Sequence, residues 1–338
     1  RFNSALNIDV LMIMLFLSSL TMFMAGLVAN FEYDLKKIIA FSTLSQLGLM
    51  MSILSLGESK LAFFHLLMHA LFKALLFMCA GCMIHMMINC QDIRYMGCMT
   101  KFIPLTSSFF NICNLALCGL PFLSGFYSKD LILEFMSMNY MNTYIYFIFY
   151  LSTGLTVMYS FRLMYYTMIG DFNMMSYFSL MDSSELMLSG MGGLIFFVIF
   201  GGSAMTWLIF PTPYMICLPL MMKLMVLLTI LMGMFLGQLI SSISLMDFSK
   251  TLEFYKLSFF MSSIWNLNLI STFGSTYYML YLGNMYNSYI DQGWSEYYGS
   301  LNIFNFMKMS SSFLLNIFLS NMKIFLFLFL IWVCLFVY

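Results

Sequence analysis

The chain has 338 residues, of which 62% are apolar and only 8% are charged, and its formal net charge is zero. Soluble domains carry about 25% charged residues, so a water-facing globular protein is excluded, and without a basic run a nucleic-acid partner is excluded too. The opening stretch RFNSALNIDV is not a signal peptide, because no charged region leads into a small-residue cleavage site. Since no initiator methionine stands there, we expect the sequence to begin inside a longer protein.

Long apolar runs recur along the whole chain, and runs of about 18 residues or more are long enough to cross a membrane as α-helices. They predict an all-α integral membrane protein with seven spans, then a different region, then one last span. The predicted spans cover 10–29, 38–56, 61–88, 105–135, 141–168, 186–210, 218–240 and 324–338. We therefore predict a bundle at 1–243, a connector with a lateral helix at 244–320, and a C-terminal membrane helix at 321–338.

Lysine and arginine residues in the short loops predict the orientation of these spans. The loops expected on one side carry Lys36, Lys37, Arg94 and Lys101. Those expected on the other side carry Lys60 and Lys223. The first side is thus predicted to be the matrix side if the membrane is mitochondrial, and by parity the segment 244–320 lies on that side as well.

An amphipathic pattern begins at Met279 and continues to Ser320. Aromatic and aliphatic residues recur there at steps of three and four, and asparagine, serine and glutamine residues occupy the opposite face. This spacing predicts a helix that lies along the membrane rather than across it. At 1.5 Å per residue it would extend for about 63 Å. A surface loop with short helical pieces is the alternative interpretation.

The span 61–88 carries an ionisable group near mid-membrane, Lys73, preceded by His69 and His65 at steps of four along one helical face. A charge at a helix centre costs about 2.5–3.5 kcal/mol on insertion scales, so such a residue is a functional candidate. Loss of water favours the neutral amine, and an imidazole can pass protons on. These three residues are therefore predicted to form a proton relay. The alternative is that Lys73 reaches the membrane surface and the histidines only bond to neighbouring helices.

The span 105–135 is predicted to be a broken helix, because Pro121 cannot donate a backbone hydrogen bond and its ring clashes with the carbonyl of Leu117. Freed carbonyls are tolerated in a membrane only where they face protein or a wet cavity. Lys129 and Asp130 follow the break, and a broken helix that ends in an ionisable pair predicts a proton exit. A proline kink followed by an ordinary helix-end ion pair is the alternative.

Other chemistries find little support in the sequence. It contains no GxGxxG, no P-loop and no metal-spaced cysteine cluster, so no cofactor or metal site is predicted on this chain. Cys79 and Cys82 form a CxxC inside an apolar run, and we expect both to be buried small hydrophobes. Arg162 is expected near the matrix end, where it could anchor a carboxylate or a lipid headgroup, or join a proton path.

Several stretches carry a family resemblance that covers essentially the whole chain. They are YDLKKIIAFSTLSQLGLMM at 33–51, HLLMHALFKALLFMCAG at 65–81, QDIRYMG at 91–97, LCGLPFLSGFYSKDLILE at 117–134 and DQGWSEYYG at 291–299. With these the chain resembles the antiporter-like subunits of respiratory complex I and of multisubunit sodium/proton antiporters, and among them the chain 5 family of insect mitochondria.

The resemblance implies an antiporter-like transmembrane helix bundle, with the last eight of sixteen membrane helices present here. It implies that Lys73 is the central proton-relay lysine, that His65 and His69 connect it onward, and that Lys129 is the terminal lysine of the broken helix. A glutamate and a lysine of the entry half-channel would lie on earlier helices, outside this sequence.

By the same resemblance, the chain would be a multi-pass subunit of the mitochondrial inner membrane that translocates protons. FMN, iron–sulfur clusters, NADH and ubiquinone would bind to other subunits, and the partners would be other membrane-arm subunits, including the sister antiporter-like chains, and lipids such as cardiolipin. Two alternatives remain open at this point: a subunit of a stand-alone cation/proton antiporter, and a structural clamp of the membrane arm.

Overall fold

The computed structural model describes residues 5–138, 143–174, 180–182, 185–243 and 250–338. The first residues of the predicted span 141–168 and of the predicted connector 244–320 lie outside these ranges. Helices account for most of the described residues. Up to residue 242 they are α1 (Ile8–Phe31), α2 (Leu35–Ser55), α3 (Ser59–Met86), the short α4 (Met99–Phe102), α5 (Pro104–Cys118), α6 (Ser124–Met138), α7 (Thr143–Met164), α8 (Glu185–Ile209) and α9 (Leu220–Ser242).

Six helices in the described ranges are long and apolar enough to cross a membrane: α1, α2, α3, α7 with its continuation to Ile169, α8 and α9. They match six of the predicted spans. The predicted span 105–135 is divided into α5 and α6, as expected for a broken helix. The prediction of an all-α, multi-pass membrane protein is confirmed.

The described residues form two units, one ending at Trp265 and the other covering Asn266–Tyr338. The first unit contains the bundle and two short helices, α10 (Lys250–Glu253) and α11 (Tyr255–Ser262). The domain boundaries predicted at 243/244 and 320/321 remain predictions.

Helix α3 lies at the centre of the bundle, where it packs against α2, α5, α6 and α8. Its apolar side chains are buried along much of its length, from Leu61 to Ile84. A helix that is hydrophobic all round is a buried helix, and α3 fits that description. The ionisable residues that it carries therefore lie inside the bundle.

The break between α5 and α6 follows from local backbone chemistry. Helix α5 ends at Cys118, and Gly119 adopts a left-handed conformation with φ of +82°, the usual glycine end of a helix. Pro121 lies in the turn that follows, and α6 starts at Ser124. Gly125 brings α6 so close to α5 that an added Cβ would lie 1.8 Å from the Ala116 carbonyl oxygen. The two half-helices thus pack directly against each other at the break.

Helix α9 packs on α7 through two glycines one turn apart. A Cβ on Gly233 would lie 2.6 Å from the carbonyl oxygen of Gly154, and one on Gly237 would lie 2.7 Å from that of Met158. Small residues four apart let membrane helices approach at backbone distance. This close contact fixes α7 against one side of the bundle.

The loops at one end of the bundle meet directly. Asp34, between α1 and α2, forms an isolated antiparallel bridge with Asp92, which follows α3. Arg94 chelates the Asp92 carboxylate, with Nη2 2.6 Å from Oδ2, and this guanidinium holds the pKa of Asp92 below its ordinary value. Lys37 pairs with Asp34 at 2.8 Å. Lys37 and Arg94, which were both assigned to the predicted matrix side, therefore lie at the same end of the bundle.

Arg162 is buried and completes the C-terminal end of α1. Its guanidinium donates to the carbonyl oxygens of Ala29 (3.3 Å), Asn30 (2.5 Å) and Glu32 (2.9 Å), and it stacks over the ring of Tyr33. The last carbonyls of a helix lack partners within the helix and attract cations. Among the described residues, the partners of Arg162 are thus backbone carbonyls at the end of α1 and the ring of Tyr33.

The second unit is one long helix followed by a short one. The long helix runs from Leu267 to Leu319, so it begins earlier than the predicted start at Met279. It contains α12 (Leu267–Leu269), α13 (Ser275–Tyr286) and α14 (Asn302–Ser320), and between them π-helical segments at Ile270–Gly274, Asn287–Ser295 and Tyr297–Leu301. After Asn321, which is extended, α15 (Met322–Val337) follows at an angle of 113°. The predicted amphipathic helix and last span are both helical.

The contact between α7 and α9 can be tested with Gly233→Ala. The added methyl group must displace the Gly154 carbonyl or the side chain of Val157, 3.0 Å away, and overpacking of this kind costs about 1–3 kcal/mol. We expect a lower midpoint of thermal unfolding for the protein in detergent. Gly192→Ala is the matched control, because outside its own stretch of helix no described atom lies within 4 Å of a Cβ there. Equal melting of the two variants would refute the close contact.

Candidate functional site

Lys73 lies inside the bundle, with 4% of its surface exposed. Its ammonium group donates a short hydrogen bond to the hydroxyl of Ser42 on α2. The Ser42 hydroxyl in turn donates to the Ile39 carbonyl oxygen at 2.7 Å. The amine is therefore held by a neutral side chain within the protein and does not reach the rim of the bundle.

His65 connects three helices. Its Nε2 lies 3.2 Å from Oε1 of Gln46 on α2, and its Nδ1 lies 2.9 Å from Oγ of Ser128 on α6. Because an amide oxygen only accepts, this arrangement favours a neutral ring protonated at Nε2, with Nδ1 accepting from Ser128. Such a ring can take a second proton at Nδ1.

His69 lies between His65 and Lys73 on α3. Its ring centroid is 6.4 Å from that of His65 and 5.4 Å from that of Phe72, and its buried Nε2 has no hydrogen-bond partner among the described residues. A buried polar atom without a partner costs about 1–3 kcal/mol. The histidine line along α3 is thus continuous in space but is not joined by direct hydrogen bonds at this point.

Lys129 turns back from α6 towards the helix break. Its Nζ donates to Oγ1 of Thr156 on α7 at 2.9 Å and to the carbonyl oxygen of Leu117 at 3.4 Å. The side chain is 4% exposed. The Leu117 carbonyl is the group that the proline break was predicted to free, so a backbone acceptor released by the break becomes a ligand for the buried amine.

Asp130 does not share this environment. It is only partly buried, and its electrostatic neighbours are Glu134 and Lys223. The ion pairs of the described residues do not include one between Lys129 and Asp130. The structure therefore brings Lys73, His69, His65 and Lys129 into one buried polar region and places Asp130 outside it.

Sequence reasoning missed the neutral partners of these residues: Ser42, Gln46, Ser128 and Thr156. All four are buried inside the bundle. Of the four, Gln46 could have been recognised from the sequence, because a buried amide in a membrane helix requires a hydrogen-bond partner. Serine and threonine gave no such signal, since each can bond to a carbonyl of its own helix.

The arrangement suits proton movement better than metal or redox chemistry. Within the described residues no group of three His, Cys, Asp or Glu side chains could hold a metal ion. Cys79 and Cys82 are both fully buried, which confirms the prediction that they lie in the apolar interior. Amines, imidazoles and hydroxyls that follow one another through a membrane bundle can each accept and release a proton.

The bond between Lys73 and Ser42 can be tested by Ser42→Ala. Hydrogen bonds to charged groups contribute about 1.5–3 kcal/mol, so the variant is expected to lower thermal stability more at a pH where the amine is protonated than where it is neutral. The readout is the unfolding midpoint across a pH series. Ser52→Ala is the control, because the buried Ser52 hydroxyl donates to the Leu49 carbonyl of its own helix and, within the described residues, to no other group. A pH-independent difference between the two variants would contradict the assigned contact.

Two protein-family models match this chain. Residues 2–156 match the family model described as NADH:quinone oxidoreductase/Mrp antiporter, TM, and residues 159–338 match the one described as NADH dehydrogenase subunit 5 C-terminus.

Curated relatives named NADH-ubiquinone oxidoreductase chain 5 occur in insects. Those of Anopheles quadrimaculatus and Aedes aegypti are each 54% identical, over 94% and 98% of this chain and 55% and 58% of their own length. The relative of Locusta migratoria is 50% identical over 98% of this chain and 58% of its own length. The chain thus spans more than half the length of these relatives, and it belongs to the NADH dehydrogenase subunit 5 family.

Proposed function

We propose that this chain is the proton-conducting part of a subunit of NADH:ubiquinone oxidoreductase in the mitochondrial inner membrane. It would translocate protons while electrons pass from NADH to ubiquinone in other subunits. The observation that carries the proposal is the pair of buried lysines, Lys73 and Lys129, with His69 and His65 between them inside a membrane bundle.

The proposed path starts at Lys73. Its ammonium would give a proton to His69, the next ionisable group along α3, and His69 would pass it to His65. His65 takes the proton at Nδ1, and the Ser128 hydroxyl can carry it onward towards α6. Lys129, which acts electrostatically on His65, would receive it and later release it to the opposite side of the membrane. Asp130, outside the polar region, remains a candidate for that last step.

The energetic demand on Lys73 is modest. Moving one charge against 100 mV costs about 2.3 kcal/mol. A tenfold change in proton affinity corresponds to about 1.36 kcal/mol, so a change of about a hundredfold suffices. A buried amine held only by a hydroxyl is suited to such a change, because a shift in nearby charge acts on it with little screening by water.

Other parts of the proposed function lie outside this chain. FMN, iron–sulfur clusters, NADH and ubiquinone would be bound by other subunits. The partners would be other membrane-arm subunits, including the sister antiporter-like chains, together with lipids such as cardiolipin. Within the chain we propose a bundle at 1–243, a connector and lateral helix at 244–320 and a membrane anchor at 321–338.

A stand-alone cation/proton antiporter subunit is the alternative, and the match of residues 159–338 to a subunit 5 model favours the respiratory complex over it. Co-purification with a flavin-containing, NADH-oxidising arm would separate the two. A purely structural clamp is a third candidate. Truncation after Ile240 tests it, since assembly should then fail although Lys73 and Lys129 are unchanged.

Replacement of Lys73 by methionine tests the relay. Methionine keeps the apolar stem but cannot hold a proton, so we expect proton pumping and coupled turnover to fall while the complex still assembles. The measurement is the number of protons translocated per electron in proteoliposomes. Lys101→Met, which removes an exposed lysine, is the control; pumping by Lys73→Met at the wild-type ratio would refute the assigned role.

A further inference from the structure

The ring of His65 is closed off from bulk water together with both of its hydrogen-bond partners. The exposed fraction is 1% for His65, 2% for Gln46 and 0% for Ser128. A buried N–H group or lone pair without a partner costs free energy, and here bulk water cannot supply one. The number of protons that the ring can hold therefore depends on what its two partners can donate and accept.

Gln46 determines the state of one ring nitrogen. Its Oε1 lies 3.2 Å from Nε2 of His65, and an amide oxygen accepts hydrogen bonds but never donates them. Nε2 therefore carries a hydrogen in the neutral ring as well as in the protonated ring. Since the hydrogen bond at one ring nitrogen decides the state of the other, a second proton has to be taken up at Nδ1.

Ser128 can serve both states of Nδ1. Its Oγ lies 2.9 Å from Nδ1 of His65 and 3.3 Å from the carbonyl oxygen of Gly125. A hydroxyl has one hydrogen to donate and two lone pairs that accept. It can donate to Nδ1 of the neutral ring, or it can accept from the Nδ1–H of the protonated ring and donate to the Gly125 carbonyl instead. A rotation of one hydroxyl converts the first arrangement into the second.

His69, one turn further along α3, lacks such partners. Its buried Nε2 has no hydrogen-bond partner among the described residues. A histidine that only fills space in a core needs partners for a single neutral form. His65 has partners for the neutral form and for the protonated form, and this surplus is the informative feature.

We propose that Gln46 is a positioning residue and Ser128 a rotating switch, which together let His65 hold either one or two protons with every ring N–H bonded. The inference rests on the proposed proton-conducting function and adds the regulation of proton affinity by two neutral side chains. Uptake of a proton at Nδ1 changes the charge of the ring from zero to plus one. The Ser128 oxygen carries one hydrogen before and after the uptake, and only the direction of that hydrogen changes.

The other titratable groups around His65 are few. On its own helix the ring of His69 lies 6.4 Å away, and on α6 Lys129 directly follows Ser128. Three more helices pack against α3: α5 carries only thiols, and α2 and α8 carry charges only in their first turns. These groups, with the remaining ones of α6, are Cys113, Cys118, Lys36, Lys37, Glu185, Tyr127, Asp130 and Glu134. The hydrogen bonds of the ring in the described structure include no carboxylate, so a change in a neutral partner should alter its proton affinity measurably.

The test measures the rate of proton pumping against pH, initially equal on both sides of the membrane, for Gln46→Met and Gln46→Glu in the assembled complex. Methionine leaves the Nε2–H of the protonated ring without its acceptor, so the ring binds a proton more weakly. The decline of the pumping rate on the alkaline side should then occur about one pH unit lower than in the wild type, the size expected for a hydrogen bond to a charged group. Glutamate keeps an accepting oxygen and adds a negative charge, so the decline should move to higher pH.

Ser128→Ala tests the second partner. The Nδ1–H of the protonated ring loses its acceptor, so the decline should again move to lower pH. Ser107→Ala is the matched control, because this buried serine donates to the Pro104 carbonyl of its own helix. Its loss should leave the pH profile unchanged. The amount of assembled complex is measured for each variant, and if one of them does not assemble, the other two decide.

Two results would overturn the inference. One is a set of variant pH profiles that coincide with the wild-type profile, and the other is a lower rate at every pH without a shift, which is the result of a purely structural role. Either result together with loss of pumping in Lys73→Met would leave the proposed function intact. Wild-type pumping in Lys73→Met would overturn both.

Discussion

The structure depends on how two amines are kept out of water without a carboxylate beside them. Among the described residues, Lys73 is bonded to a serine hydroxyl, and Lys129 to a threonine hydroxyl and a backbone carbonyl. Neutral acceptors stabilise an ammonium less than an anion would, so the free energies of the charged and neutral forms remain close. An ion pair would fix the charge, whereas hydroxyls allow it to alternate. The neutral partners thus fit the proposed role of these two lysines as proton carriers.

The rest of the bundle supplies those neutral partners at the right places. The break between α5 and α6 removes the helical hydrogen-bond partner of the Leu117 carbonyl and directs that carbonyl to Lys129. Helix α7 contributes Thr156 and is held from two sides, by the glycines of α9 and by Arg162 at the end of α1. Since backbone contacts of this kind leave little room for sliding, the hydroxyls of α7 are held at fixed heights relative to the lysines.

The second unit has a different character. Its large apolar side chains are mostly exposed when the chain is considered alone, among them Trp294 and Tyr297. An apolar helix of this length is stable only where lipid or another protein covers it. Its segments Asn287–Ser295 and Tyr297–Leu301 are π-helical, so they have more residues per turn than the α-helix that the sequence pattern assumed. Such a covered helix would fit the lateral-helix and clamp roles that we propose for this segment.

The sequence by itself determined which segments are helical and which ionisable groups stand in them. The length of the apolar runs predicted the spans, because a bilayer admits only segments whose backbone hydrogen bonds are satisfied internally. Pro121 predicted the broken helix. The energetic cost of a buried charge identified Lys73 as a candidate. Arg162 was located near a helix end, but its backbone partners could not be foreseen, because carbonyls carry no sequence signal.

Only the tertiary structure decided the partners. It separated Lys129 from Asp130, although the two are adjacent in the chain, because successive side chains of a helix diverge by about 100°. It also brought Ser42, Ser128 and Thr156, from three different helices, to the lysines and the histidine of the site. Serine and threonine are common in membrane helices and can satisfy themselves locally, so which of them meets a lysine depends on the rotation and height of each helix. Packing between the helices sets this rotation and height, and no local sequence pattern encodes that packing.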